Sequence, residues 1–225
     1  MTDSATGELR LSAGPDVTGV YEEKRSRFLA VMRRCDDEAA ARDLIADLRR
    51  AHPDARHHCS AFLVDVPGSS RIERSNDDGE PSGTAGTPML EVLRGSGLTG
   101  VGVVVVRWFG GTKLGAGGLA RAYGAAVSAA IEQAWRDGRV VEVLRTPAWR
   151  ADVDHALAGG LEGAVRAAGA RVLGVEYGTR VALTVAGDID VLGPILATRS
   201  SGGVDWQPAG VATTENAASR RDMES

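Results

Sequence analysis

The chain has 225 residues and a mass of 23.5 kDa, with 43% hydrophobic and 25% charged residues. This is enough for one large domain or two small ones, with a core that needs no disulfide or metal, and the composition excludes a mainly disordered chain, a collagen and a coiled coil. The net charge of −4 and pI of about 5.6 argue against a general nucleic-acid binder, so any RNA contact must be a local patch. Lys24 and Lys113 are the only lysines, and arginine supplies the other cations.

The first 15 residues lack a period and are expected to be a flexible arm. Residues 17–35 predict two short strands through Val20, Phe28, Ala30 and Met32. Asp36 then reads as a helix N-cap, with Asp37 and Glu38 in the first turn. Ala40, Ala41, Leu44, Ile45 and Leu48 recur at helical spacing until Pro53 stops the helix. A strand is expected over 58–66. Residues 67–86 are polar, crowded with Gly, Ser, Asp and Pro, and predict a long loop of the kind that in a compact domain is either functional or disordered. A short helix with Met89, Leu90 and Leu93 inward follows.

Residues 100–108 form a nearly continuous apolar run, which predicts a central strand covered on both faces. A glycine loop, 110–118, leads into the clearest helix of the chain: Leu119, Ala122, Tyr123, Ala126, Val127, Ala130 and Ile131 repeat every three or four residues. Asp137-Gly138 ends it. A strand at 139–144 closes the first unit, and a second strand at 147–153 opens another. The second unit continues as a helix from 154, strands at 170–177 and 180–185, a helix capped by Asp188 or Asp190, and a final strand at 204–206. This βαββαβ order is the ferredoxin-like pattern. Residues 208–225 are expected to be a flexible tail. The domain expectation is therefore 16–145 and 146–207.

No apolar run approaches the ~20 residues of a membrane helix, the opening residues lack the apolar core of a secretory signal, and Cys35 and Cys59 form no CxxC. The expectation is a cytoplasmic protein with no membrane association.

Two loops and one strand carry the candidate chemistry. Asp77, Asp78 and Glu80, with Ser82 and Thr84, put carboxylates and hydroxyls together. Such oxygens hold a hard cation or accept backbone N–H bonds that fix turns. The spacing is not that of a calcium hand, and no metal is expected. In the glycine loop, Gly115, Gly117 and Gly118 allow a backbone to approach an anion at a helix N-terminus, with Arg107, Lys113 and Arg121 as the available cations. Trp108 and Phe109 offer stacking surfaces. The alternative is a tight connection that uses glycine for positive φ. In His57-His58-Cys59, His57 and Cys59 share one strand face and His58 takes the other. Two ligands are too few for structural zinc.

The stretches SNDDGEPSGTAGTPML (75–90) and VVVVRWFGGTKLGAGGLARAYGAAV (103–127), with KRSRF (24–28) and HPDARHHCSAF (52–62), resemble the YigZ/IMPACT family. The resemblance implies an α+β protein. Its N-terminal domain would resemble domain IV of elongation factor G, a ribosomal-protein-type β-α-β fold, and its C-terminal ferredoxin-like domain would resemble domain V. The expected function is non-enzymatic and translation-related: binding RNA or a ribosome-associated protein, without a cofactor, a membrane or DNA. RNA or phosphate would meet Arg107, Trp108, Lys113, Gly115, Gly117, Gly118 and Arg121, beside a polar groove of Asp77, Asp78, Glu80, Ser82 and Thr84. The rival is a phosphate- or nucleotide-binding enzyme working in that groove.

Overall fold

The valines of Val101–Trp108 (β6) are fully buried because both faces of the strand are covered. A computed structural model describes residues 7–66 and 69–219. In it β6 lies between Ser26–Arg34 (β3) and His57–Val64 (β4), with Val17–Glu23 (β2) and Ile72–Asn76 (β5) at the edges. All four pairings are antiparallel. The period of two sends Val103 and Val105 to one face, with Phe28, Ala30 and Met32 of β3 and Cys59, Ala61 and Leu63 of β4. Two helices cover this face, Gly86–Gly95 (α2) and Gly115–Arg136 (α3). Val104, Val106 and Val31 face the opposite way, onto Leu44 and Leu48 of Glu38–Ala51 (α1). Each buried Leu, Phe or Met of these layers contributes roughly 1.5–3 kcal/mol of transfer free energy.

Capping chemistry sets the ends of α1. Asp37, not Asp36, is the N-cap, and its side chain accepts the Ala40 N–H at 2.7 Å. Asp36 lies one residue too early and instead pairs with Arg10 and Arg34. Arg49 and Arg50 complement the negative end of the helix dipole. In α3 the alanines at 122, 126, 130 and 134 are fully buried. Their small size lets the helix lie against β2 so closely that a Cβ on Gly19 would sit 2.2 Å from the Ala130 backbone nitrogen.

The chain divides into two compact units. One holds the sheet just described together with Glu8–Leu11 (β1), which pairs antiparallel with residues 140–143. The other spans 144–214 and contains most of Val140–Val153 (β7), His155–Ala167 (α4), Arg171–Tyr177 (β8), Val181–Ala186 (β9), Ile189–Ser200 (α5) and most of Gln207–Ala217 (β10). Its strands run in the order β10-β7-β9-β8. Ala151, Val153, Val181, Leu183 and Val185 of the sheet meet Leu161 and Val165 of α4 and Leu192 and Leu196 of α5. Trp206 closes this core, donating its Nε1–H to Leu192 O at 2.9 Å. The described residues are thus α+β, with two antiparallel sheets and five helices. Among the described residues no helix is long and apolar enough to cross a membrane.

The structure corrects several expectations drawn from sequence. Residues 8–11 are not part of a flexible arm: strand β1 pairs with β7 and buries Arg10 and Leu11. Residues 207–217 are a strand, not a tail, while Val204–Trp206 is irregular. The rest of both expected termini, 1–6 and 220–225, lies outside the described residues. The polar stretch 67–86 contains β5, a solvent-facing edge strand whose IERSN carries no apolar alternation; residues 67 and 68 lie outside the described residues. The two strands expected at 139–144 and 147–153 are one strand, β7.

Candidate functional site

Register and parity place three polar side chains at one end of the N-terminal sheet. His57 of β4 lies directly opposite Arg107 of β6. Both follow the parity of Cys59 and Val105 and so point toward the face that α3 covers. The turn after β5 brings Glu80 over them, and α3 brings Tyr123. The Arg107 and Glu80 side chains, only 7% and 4% exposed, form an ion pair through Nη1 and Oε1. Tyr123 donates its hydroxyl to the same Oε1 at 2.8 Å, and His57 Nε2 lies 3.9 Å from it. The Arg107 guanidinium also lies over the rings of Phe28, at 5.3 Å, and Phe109, at 5.7 Å. Its Nε is buried without a partner.

Tyr123 is packed edge-on to Phe28, and its hydroxyl is 3.3 Å from the Cys59 sulfur. Burial, reinforced by Cys59 and Glu80, pushes the Tyr123 phenol up, so it remains a donor. Burial likewise pushes the Cys59 thiol up to about 12. It is therefore a packed thiol donating to Asp77 O at 3.0 Å, not a nucleophile at neutral pH.

Above this buried cluster opens a pocket of about 390 Å³, lined by Arg56, His57, Glu80, Arg107, Phe109 and Lys113, with the start of α3 at its rim. Helix α3 has no side-chain N-cap and no acidic residue in its first turn. Its first amides are open to an anion: Gly115 has φ +73°, and nothing lies within 4 Å of where a Cβ would stand on Gly115 or Gly117. Arg56 and Lys113 are exposed.

The sequence-derived site residues separate into three groups. Arg107, Lys113, Gly115 and Glu80 come together in the pocket, and Gly117 stands exposed in the adjoining helical turn while Gly118 is buried under Leu114. Trp108 does not join them, because parity turns it to the other face. There it packs edge-on against His52 at 5.3 Å and donates Nε1–H to Asp54 at 2.7 Å. Half-exposed Phe109 takes the stacking position instead. Arg121 is exposed on α3 and does not line the pocket.

Asp77 and Asp78 are turn-formers. Asp77 accepts the backbone N–H groups of Gly83, Ala85 and Gly86 at 2.7, 3.0 and 2.8 Å. Asp78, at φ +43°, accepts the His58 N–H and the Arg49 guanidinium through its carboxylate, and its carbonyl lies 2.8 Å from His57 Nδ1. Ser82 is exposed, and Thr84 is buried with its hydroxyl donating to Pro81 O. Together they shape the turn that delivers Glu80. Arg56 and Tyr123 were not among the expected site residues, and His57 was singled out only as part of His57-His58-Cys59, without a role in the pocket. Parity along β4 carries the signal for His57, whereas Tyr123 occupies an apolar slot of the helix repeat that gives no sign of its polar role.

Burial pushes the Asp77 carboxyl up, but the amides of Gly83, Gly86 and Ala85 outweigh it and hold the group below the usual range. A depressed folded pKa gives stability that is present above the unfolded value of about 3.9 and lost as pH falls through the folded one. Hydrogen exchange at residues 83, 85 and 86 should therefore stay protected from pH 7 to 5 and lose protection, after intrinsic-rate correction, below about pH 4. Protection that persists to pH 2.5 would show that the turn is held by something other than this carboxylate.

The fold and pocket define an α+β protein whose glycine-led helix and acidic turn meet over one end of a sheet. The Impact N-terminal domain model matches residues 24–131, the span that builds this pocket. The chain is 48% identical over 117 residues to IMPACT family member YigZ of Escherichia coli, covering 52% of this chain and 57% of that protein. It is 49% identical over 105 residues to IMPACT family member YvyE of Bacillus subtilis, covering 47% and 48%. A crystal structure of a protein described only as hypothetical aligns over 88% of this chain and 96% of its own, with 34% identity and a TM-score of 0.57. Over residues 24–131 the chain is a member of the IMPACT/YigZ family. The matches span about half to three-fifths of these curated relatives' length.

Proposed function

We propose that this protein is a non-enzymatic, translation-related regulator that binds RNA, free or presented by the ribosome, through phosphate contacts in the pocket at the start of α3. One observation carries the reading: in an acidic protein, Arg56, His57, Arg107 and Lys113 converge with an uncapped helix N-terminus beside a half-exposed phenylalanine. Cations and free amides suit phosphate, and an exposed ring suits a stacked base. The rival nucleotide-using enzyme would need a base or nucleophile at the pocket. Glu80 already accepts from Arg107 and Tyr123 and Cys59 is held as a thiol, so among these side chains the rival would have to use His57 as its base.

The βαββαβ order and the strand sequence β10-β7-β9-β8 support a ferredoxin-like second unit of the elongation factor G domain V kind, beside a first unit of the domain IV kind. Fold analogy does not by itself assign a function, so the pocket remains the argument. The reading places the protein in the cytoplasm.

The test is titration of labelled single-stranded and duplex RNA at two salt concentrations. Two to three phosphate contacts predict a slope of log K against log salt of about −1.5 to −2 for single strands. Lys113→Ala should weaken binding by roughly three- to tenfold, and Arg121→Ala should leave it unchanged. Absence of binding at low salt, or indifference to Lys113→Ala, removes the proposal. Saturable turnover of a nucleotide with Mg²⁺ replaces it with the enzyme reading.

A further inference from the structure

We infer that the pocket is built for a phosphomonoester, the terminal phosphate of an RNA chain or mononucleotide, rather than for the internal phosphodiesters of a strand. The inference rests on the RNA-binding reading above and deepens it.

The first argument is charge. Arg56 and Lys113 each bring a positive charge with no carboxylate partner among the described residues, while Arg107 and Glu80 offset one another. The uncapped start of α3 adds about half a charge. The pocket therefore presents about two and a half positive charges before His57 is counted. A terminal phosphate carries about −1.5 to −2 at neutral pH, whereas an internal phosphodiester carries a single negative charge. The dianion matches the pocket, and the monoanion leaves it undercompensated.

The second argument is donor geometry. Arg107 is more than nine-tenths buried, and its Nε has no partner among the described residues. A buried donor without an acceptor costs about 1–3 kcal/mol, which a ligand oxygen reaching the pocket floor would recover. The Arg107 guanidinium lies over the Phe28 and Phe109 rings and is paired with Glu80, so the floor is fixed. An oxygen entering to that depth is easily supplied by a phosphate with one substituent, which stands like a cap over the helix amides. An internal phosphate carries chain on both sides, and both ends must leave through the same mouth. Phe109, half exposed at the rim, stands where the first base would stack.

The test compares one labelled single-stranded RNA in three forms, with 5′-phosphate, with 3′-phosphate and with hydroxyls at both ends, by fluorescence polarisation on the full chain. AMP and inorganic phosphate serve as unlabelled competitors. At least one phosphorylated end should bind about tenfold more tightly than the hydroxyl-ended strand, and which end wins identifies the source of the phosphate. Arg56→Ala and Lys113→Ala, both at exposed positions in the pocket, should erase this preference, whereas Arg121→Ala, outside the pocket, should keep it. Equal binding of all three forms overturns the phosphomonoester inference and leaves RNA binding standing. Failure of every form to bind overturns both. Preference retained in both variants places the terminal-phosphate site elsewhere and also overturns the inference.

Discussion

Replacing Glu80 with alanine is expected to lower the unfolding free energy by about 3–5 kcal/mol, the cost of leaving a buried charge without its partner. The Arg107 guanidinium stays buried against Phe28, and the fully buried Tyr123 hydroxyl loses its acceptor. Replacing both partners, Glu80→Met with Arg107→Met, should cost less than Glu80→Ala alone, because neither charge then remains in the core. Glu80→Gln should fall between wild type and alanine. Urea midpoints at constant m-value report the ranking, and a Glu80→Ala loss below about 1 kcal/mol would remove the pair from the fold's supports. The same substitution adds one net positive charge to the pocket wall. Anion binding by the surviving folded fraction should therefore tighten while stability falls, an opposition of signs that a purely structural role would not produce.

What could be read in advance follows from where the governing interactions lie along the chain. The helix α3 repeat and the burial of β6 were legible because a helix or a two-sided strand writes its environment into neighbouring positions. The edge strand β5 was not, since IERSN buries little and is held by backbone pairing to residues 60–64 of β4. Strand β1 escaped for a different reason: its partners are residues 140–143, far along the chain. The turn-forming role of Asp77 and Asp78 was one of the two readings of the acidic loop, and their backbone bonds decide it. The pocket was half legible. Arg107, Lys113 and Gly115 came from local composition, but the Glu80–Tyr123 bond spans 43 residues and leaves no local trace. Trp108 and Arg107 are adjacent residues with opposite fates, and strand parity relative to the valines decides between them.

Gly19→Ala is expected to cost at least the upper end of the ~1–3 kcal/mol typical of overpacking. The added methyl would stand 2.2 Å from the Ala130 nitrogen, 2.6 Å from the Ala129 carbonyl carbon and 2.7 Å from the Ala130 Cα. All three are backbone atoms, so no rotamer change relieves the overlap, and either β2 or α3 must move. Gly124→Ala, in the same helix, supplies the contrast. Its methyl would meet only Val92 Cγ2, at an ordinary 3.5 Å, and the helix gains about 0.5–1 kcal/mol from exchanging glycine for alanine. Thermal or urea unfolding of the two variants should therefore move in opposite directions. The effect should also reach the pocket, because α3 carries both the Tyr123 hydroxyl and the amides at its start. A displaced helix in Gly19→Ala weakens phosphate binding from a site at the far end of α3, whereas Gly124→Ala leaves it intact. A Gly19→Ala protein within about 0.5 kcal/mol of wild type, with unchanged binding, would mean that the β2–α3 approach is looser than the alanine face of this helix requires.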